Sequence, residues 1–214
     1  MKKFFSLIAV TFMLCLVSLT AQAQYGNETA TTTTTTATVT SAPDMPTPEQ
    51  MEQWAKMSSP SENHKVLEAF TGKWDYTMKM WMKADSQPQE SKGTSDNHWM
   101  YEGRFLVQDT KGEAMGKPFE GMGIIGYDNM REEYNFGWID NMSTSMMVAT
   151  GQYDPATKTL TESGTFACPM TGEKNRAMRS VWKIIDADHH SYEMYSTSEG
   201  QEFKMMEIMY TRAQ

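Results

Sequence analysis

From Gly72 to Arg212 the chain is a run of about ten short stretches that alternate apolar and polar residues, each closed by a turn. Connections this short join antiparallel neighbours, so the stretches form a meander rather than crossover units. A meander of this length leaves two exposed edges unless its first and last strands meet. The expected fold is therefore all-β: an antiparallel up-and-down meander of about ten strands closed, or nearly closed, into a barrel. A barrel has an interior, and an interior can hold a ligand.

The alternation assigns faces. In Trp74–Met82 the even positions read Trp74, Tyr76, Met78, Met80 and Met82 and point inward, while Asp75, Thr77 and Lys79 point out. Trp81 breaks the pattern. Further strands are expected at about 91–101, 104–112, 118–127, 132–140, 144–153, 158–167, 176–186, 190–198 and 202–212, separated by turns such as Glu102-Gly103, Tyr153-Asp154-Pro155 and Glu199-Gly200. Gly121, Gly123 and Gly126 fall within one strand and are expected to mark bulges or tight curvature. No helix follows them, which excludes a phosphate loop.

The barrel region, 72–214, is preceded by three segments of different character. Lys2 and Lys3, the apolar stretch Phe4–Leu19 and Ala21-Gln22-Ala23 have the order of a signal peptide over residues 1–23, with cleavage before Gln24. The apolar stretch is short for a membrane span. Residues 24–48 carry a threonine run and Pro43, Pro46 and Pro48 with little to bury, and read as a disordered spacer. Residues 49–71 hold one or two short helices. Thr47-Pro48-Glu49-Gln50 is a capping box with proline at the first position, and Ser59-Pro60-Ser61-Glu62 repeats the signature before Val66, Leu67 and Phe70. A short amphipathic helix just before the first strand is placed to plug one barrel end. The expected location is periplasmic or secreted.

Export makes the formal charge of −8 more negative by two, through loss of Lys2 and Lys3, and this argues against nucleic acid or an anionic membrane as partner. It also leaves Cys168 as the single thiol, so no intrachain disulfide forms and the core carries stability. The 21 methionines are unusually many and fall in stripes such as Met78/Met80/Met82, Met142/Met146/Met147 and Met205/Met206/Met209. Thioethers select soft metals, yet methionine is also an adaptable core and pocket filler. The strand positions favour the second reading, so no metal and no cofactor are expected. His189 and His190 lie beside Asp186 and Asp188 and read as an exposed turn, and Cys168 as a buried or idle thiol.

The candidate ligand-binding residues are Tyr134, Phe136, Trp138 and Asp140, alternating on one face, with Met78 and Met80 as lining and Arg179 and Glu193 as charged groups among apolar neighbours. Trp138 is expected to wall the cavity and Asp140 to stand near its mouth.

The order Gly72-x-Trp74, Gly103-Arg104-Phe105, Gly116-x-Pro118-Phe119-Glu120-Gly121-x-Gly123-x-x-Gly126-Tyr127-Asp128, Trp138-x-Asp140, Gly151, Pro169-x-Thr171-Gly172 and Tyr210-x-Arg212 resembles an uncharacterised bacterial family, domain-of-unknown-function family 1579, over roughly Ser61 to Arg212. The resemblance implies a domain type and no activity. More loosely, Gly-x-Trp after a short helix is similar to the opening of lipocalins and other calycins, which implies a late basic residue, here Arg212, packed on Trp74.

These observations lead to an exported, non-catalytic barrel that binds a small apolar or amphipathic molecule. One alternative is a barrel enzyme of isomerase, cyclase or hydrolase type, with Asp140 and either Glu193 or Glu207 as acid and base. Another is a structural or surface-adhesive module on a threonine-rich stalk.

Overall fold

The computed structural model describes residues 45–198 and 200–214. The signal-peptide segment and all but the last residues of the spacer lie outside the described residues. Helix α1 (Pro48–Ser58) opens on the capping box read from the sequence: Gln50 N–H donates to Thr47 Oγ1 and Thr47 N–H to Gln50 Oε1. It buries none of its residues. It is tied to the barrel instead by its C-terminal carbonyls, which accept from Arg104 and Asn129. The second helix, α2 (Glu62–Lys65), runs straight into a 3-10 segment at Val66–Phe70.

Ten strands follow: β1 (Gly72–Met80), β2 (Gln89–Met100), β3 (Phe105–Ala114), β4 (Lys117–Asp128), β5 (Glu133–Asp140), β6 (Met147–Asp154), β7 (Thr159–Cys168), β8 (Glu173–Ile184), β9 (His189–Ser198) and β10 (Gln201–Arg212). Each pairs antiparallel with its sequence neighbour, and β1 pairs with β10 in the register Trp74↔Arg212 to Met80↔Met206, closing the barrel. The all-β meander expected from the alternation is the fold, with one correction in β4. Its pairing with β3 and β5 runs without a register shift. Gly121 and Gly123 are not bulges but clearances: a Cβ on Gly121 would collide with the Trp138 ring, and one on Gly123 would stand 3.3 Å from it. The bulges lie elsewhere, between Phe166 and Cys168 in β7 and between Lys204 and Met206 in β10.

The two barrel ends differ. At one end Leu67 and Phe70 of the plug are buried among Trp74, Leu106, Tyr134, Leu160 and Trp182. The Phe70 carbonyl, left over at the end of the 3-10 segment, accepts from Trp74 Nε1 at 2.9 Å and from Asn97 Nδ2 at 2.7 Å. Burial of these rings contributes roughly 1.5–3 kcal/mol each. Arg212 finishes the seal. Its guanidinium carbon lies 4.2 Å from the Trp74 ring centroid while its nitrogens donate to the carbonyls of Thr71 and Ala187. Gly72 sits at φ +101°, which favours glycine, and a Cβ there would stand 2.8 Å from Arg212 Nη1 and push the guanidinium aside.

His190 contradicts the exposed-turn expectation. His189 is half-buried and bonded to Asp186, but His190 is 1% exposed, its ring stacked on Tyr210 at 4.3 Å and edge-on to Trp74 at 4.3 Å. The strand period explains the difference. His190, Tyr192 and Met194 share the inward face of β9, which begins at His189, so the strand takes in both histidines that the acidic composition assigns to the turn. Burial without a hydrogen-bond partner on either ring nitrogen pushes the imidazole pKa down to about 3, with the Arg212 charge adding to the effect.

Candidate functional site

The other end of the barrel is not filled. A cavity of about 230 Å³ extends from the aromatic core to the loops joining β3 to β4 and β5 to β6. Tyr76, Phe136, Trp182, Tyr192 and Tyr210 form its deeper walls, and Met78, Met80, Met147, Met194 and Met206 fill in between. Phe119, Met115 and Met142 stand at the mouth. At a liquid-water share of roughly 30 Å³ per molecule, the volume corresponds to about seven or eight waters, below the usual range for a drug-sized site. A lining of unbranched thioethers lets such a space adapt to shape at little cost.

Trp138 forms one wall near the mouth. Its indole nitrogen donates to Asp140 Oδ2 at 2.9 Å, and its ring lies parallel to Phe119 with centroids 6.3 Å apart, over the space left by Gly121. Asp140 Oδ1 accepts from the backbone N–H groups of Met142 at 2.9 Å and Ser143 at 3.0 Å. One carboxylate thus fixes both the Trp138 ring and the loop that carries Met142. Met115 occupies the first position of a two-residue hairpin with φ +53°, followed by Gly116 at +73°. Asparagine or glycine is usual there, and methionine holds the position at a cost of order 1 kcal/mol.

Phe136, Trp138, Asp140, Met78 and Met80 therefore surround the cavity, and three other sequence candidates do not. Tyr134 shares the inward face but sits at the plugged end, donating to the Asn63 carbonyl at 2.8 Å; burial raises its phenol pKa. Arg179 and Glu193 face outward. Arg179 forks onto Glu202 and lies 4.1 Å from the Tyr195 ring centroid. Glu193 accepts from Lys204 at 3.0 Å and from the Tyr195 hydroxyl at 2.7 Å. Charge among apolar sequence neighbours reflects strand alternation here, with pairing on the outer wall. Glu207 belongs to the same outer cluster through Lys204, so neither glutamate converges with Asp140. Met82 lies beyond the end of β1 and is exposed.

Sequence reasoning missed Gln108 and Thr110 on β3, polar residues on the cavity face whose signal was the pairing with inward positions on β2 and β4. It also missed Glu162. That side chain is fully buried behind Trp182, its Oε2 accepting from Ser180 Oγ at 2.8 Å and from Trp182 Nε1 at 3.1 Å, while Oε1 has no partner. Burial raises its pKa to about 7, against the lowering effect of those two hydrogen bonds. Cys168 is buried at the open end with Arg176 Nη1 donating to its sulfur at 3.5 Å. Burial raises the thiol pKa, but hydrogen bonds from Thr171, Arg176 and Met170 outweigh it and the net shift is downward. Among the described residues, no group of three or more His, Cys, Asp or Glu is placed to hold a metal, and no helix is long and apolar enough to cross a membrane. A larger concavity of about 870 Å³ lies over β1 to β5. It is an open groove on the outer face, and its two lysines are paired along the sheet, Lys73 with Asp96 and Lys111 with Glu120.

The barrel is similar to the crystal structure of Rv2717c from M. tuberculosis, with a TM-score of 0.55 and 16% identity over 73% of this chain and 100% of that one. It is also similar to the S-type phycobiliprotein lyase CPES from Guillardia theta, with a TM-score of 0.50 and 13% identity over 79% of this chain and 99% of that one. At these identities the likeness carries the fold alone. No curated protein matches the sequence. The family described as "Protein of unknown function (DUF1579)" matches residues 59–212, from just before the plug to the end of β10, and the chain belongs to that family.

Proposed function

We propose that this protein is an exported, non-catalytic barrel that captures a small apolar or amphipathic molecule in its interior. The observation that carries the reading is the uneven filling of the barrel: one end is packed solid, while the other keeps a methionine- and aromatic-lined cavity that reaches the surface. Apolar walls supply affinity through burial, at roughly 25 cal/mol per Å² of ligand surface removed from water before the costs of ordering. Gln108 and Thr110 offer polar contacts from the wall, and Asp140 gives the mouth its negative end. The leader-like segment at residues 1–23 supports export, with a mature start at Gln24. An acid–base pair built from Asp140 with Glu193 or Glu207 has no geometric support, since the two glutamates stand on the outer wall.

The test is native mass spectrometry of the protein purified from its own host, followed by titration of the emptied barrel with the apolar dye ANS. A retained small molecule that competes with the dye is the expected result. A barrel that carries nothing and gives no saturable change in dye or tryptophan fluorescence refutes the reading.

A further inference from the structure

Among the described residues, one buried carboxyl group is not required by cavity formation. Glu162 is fully buried, and the positions facing it in the ladder are Gly151 on β6 and Ser180 on β8, neither of which carries charge. The titratable group beside it from β9 is the Tyr192 phenol, with Tyr210 of β10 and His190 of β9 beyond Trp182. Burial raises the Tyr192 and Tyr210 pKa values and lowers that of His190, so all three are neutral near pH 7. The inward cation of β8, Arg176, is engaged at the open end with Cys168 and the Thr197 carbonyl. A carboxylate in that setting lacks a counter-charge, and two hydrogen bonds to one of its oxygens offset only part of the cost of leaving water. The two groups that donate to Glu162 are also telling. Trp182 is a wall of the cavity, and its indole N–H is held by the same oxygen that accepts from Ser180.

We infer that Glu162 is a positioning residue of the cavity, that its hydrogen bond sets the Trp182 wall, and that capture of an uncharged ligand is favoured by its neutral form and weakens when it ionises. The inference rests on the binding reading above and adds its regulation. A ligand that fills the cavity excludes water from the face of Trp182, lowers the polarity around the carboxyl behind that ring and so favours its neutral form. By linkage the neutral carboxyl favours the ligand by the same factor. Ionisation does the reverse: a charged Glu162 tightens its bond to the indole and demands a partner for the unpaired Oε1, and both shift the wall from the position that fits a ligand. The raised pKa of this group agrees with the geometry.

The experiment uses the mature protein and N-phenyl-1-naphthylamine, a dye uncharged from pH 5 to pH 9. Carbon-13 labelling of glutamate side chains follows the carboxyl directly. In the wild type one glutamate carbon should titrate near neutrality, and that signal should vanish in Glu162→Gln. Dye affinity should fall about fivefold or more across the same interval in the wild type. It should stay flat in Glu162→Gln, whose amide oxygen can still accept from Trp182. A glutamate set that is fully ionised at pH 6 overturns the inference without need of the variant, should glutamine at this site fail to fold. Dye binding that is saturable but equally strong at all pH values overturns the coupling and leaves the binding reading standing. Absence of dye binding in both proteins at every pH overturns the binding reading itself, and the coupling with it.

Discussion

The Trp138 indole and the Asp140 carboxylate, two residues apart on one strand, are joined by a 2.9 Å hydrogen bond at the cavity mouth. The same carboxylate accepts from the backbone of Met142 and Ser143, so it serves three donors. Asparagine offers one oxygen and turns an N–H₂ toward another donor. Asp140→Asn is therefore expected to release Trp138 or the loop, shifting the fluorescence of bound ANS while costing only about 1–2 kcal/mol in urea unfolding. Equal dye spectra for the two proteins would show that the mouth does not depend on this bond.

Gly121 provides the space in which the Trp138 ring lies. Gly121→Ala should push that ring toward the cavity, lowering dye affinity and costing about 1–3 kcal/mol as overpacking. Alanine at Gly116, where nothing lies within 4 Å, separates the two effects: it should cost stability through its positive φ and leave dye affinity alone.

Met115 stands in a backbone conformation that suits asparagine better. Met115→Asn should raise the unfolding midpoint, by up to about 1 kcal/mol in free energy, and speed dye release by removing a side chain from the mouth. Slower release, or lost stability, would contradict this account of the hairpin.

At the sealed end, Arg212→Ala removes the guanidinium over Trp74 together with three donated hydrogen bonds, and about 2–3 kcal/mol of destabilisation is expected. Arg212→Lys keeps a charge without the planar fork and should fall between. Trp74→Ala should cost roughly 3–5 kcal/mol, as truncation of a buried aromatic. A cost below 1 kcal/mol for Arg212→Ala would remove the seal from the list of stabilising features.

Two buried groups set opposing pH dependences. His190 resists protonation in the fold, with its pKa pushed down to about 3, whereas the unfolded chain takes up that proton near 6.5. Its burial is tolerated above that range, and stability is lost as the pH falls from about 6.5 toward 3. Glu162 is the reverse: with its pKa raised to about 7, its contribution is full below the ordinary carboxyl range and lost as the pH rises through about 7. Each slope approaches 1.4 kcal/mol per pH unit at most, and between about 4.5 and 6.5 they oppose one another. Urea unfolding at a series of pH values should therefore show His190→Phe less sensitive to mild acid than the wild type. Glu162→Gln should lose the decline toward neutrality. Parallel curves for all three proteins would refute both assignments.

The strands were legible because alternation with period two is strong wherever one face meets an apolar interior, as in Trp74, Tyr76, Met78 and Met80. Trp138 and Asp140 were legible for the same reason. The side chains lost to sequence reading are those whose chemistry disagrees with their side of the sheet. Glu162, Gln108 and His190 are polar yet face inward, while Arg179 and Glu193 stand among aromatics and face out. Polarity predicts facing only as long as water is the sole alternative to the core. A buried acceptor for an indole N–H, or an outer wall of paired charges, supplies another.

The closing ladder joins the first strand of the barrel to the last, setting Trp74 against Arg212 across nearly the whole domain. In kinetic terms this contact has the longest loop to close, and it cannot form before β10 has been synthesised. Until then β1 and β9 are unpaired edges, open to pairing with other chains. A chain ending before Gln201 would keep both edges permanently, and it should aggregate even though it retains every residue of the plug.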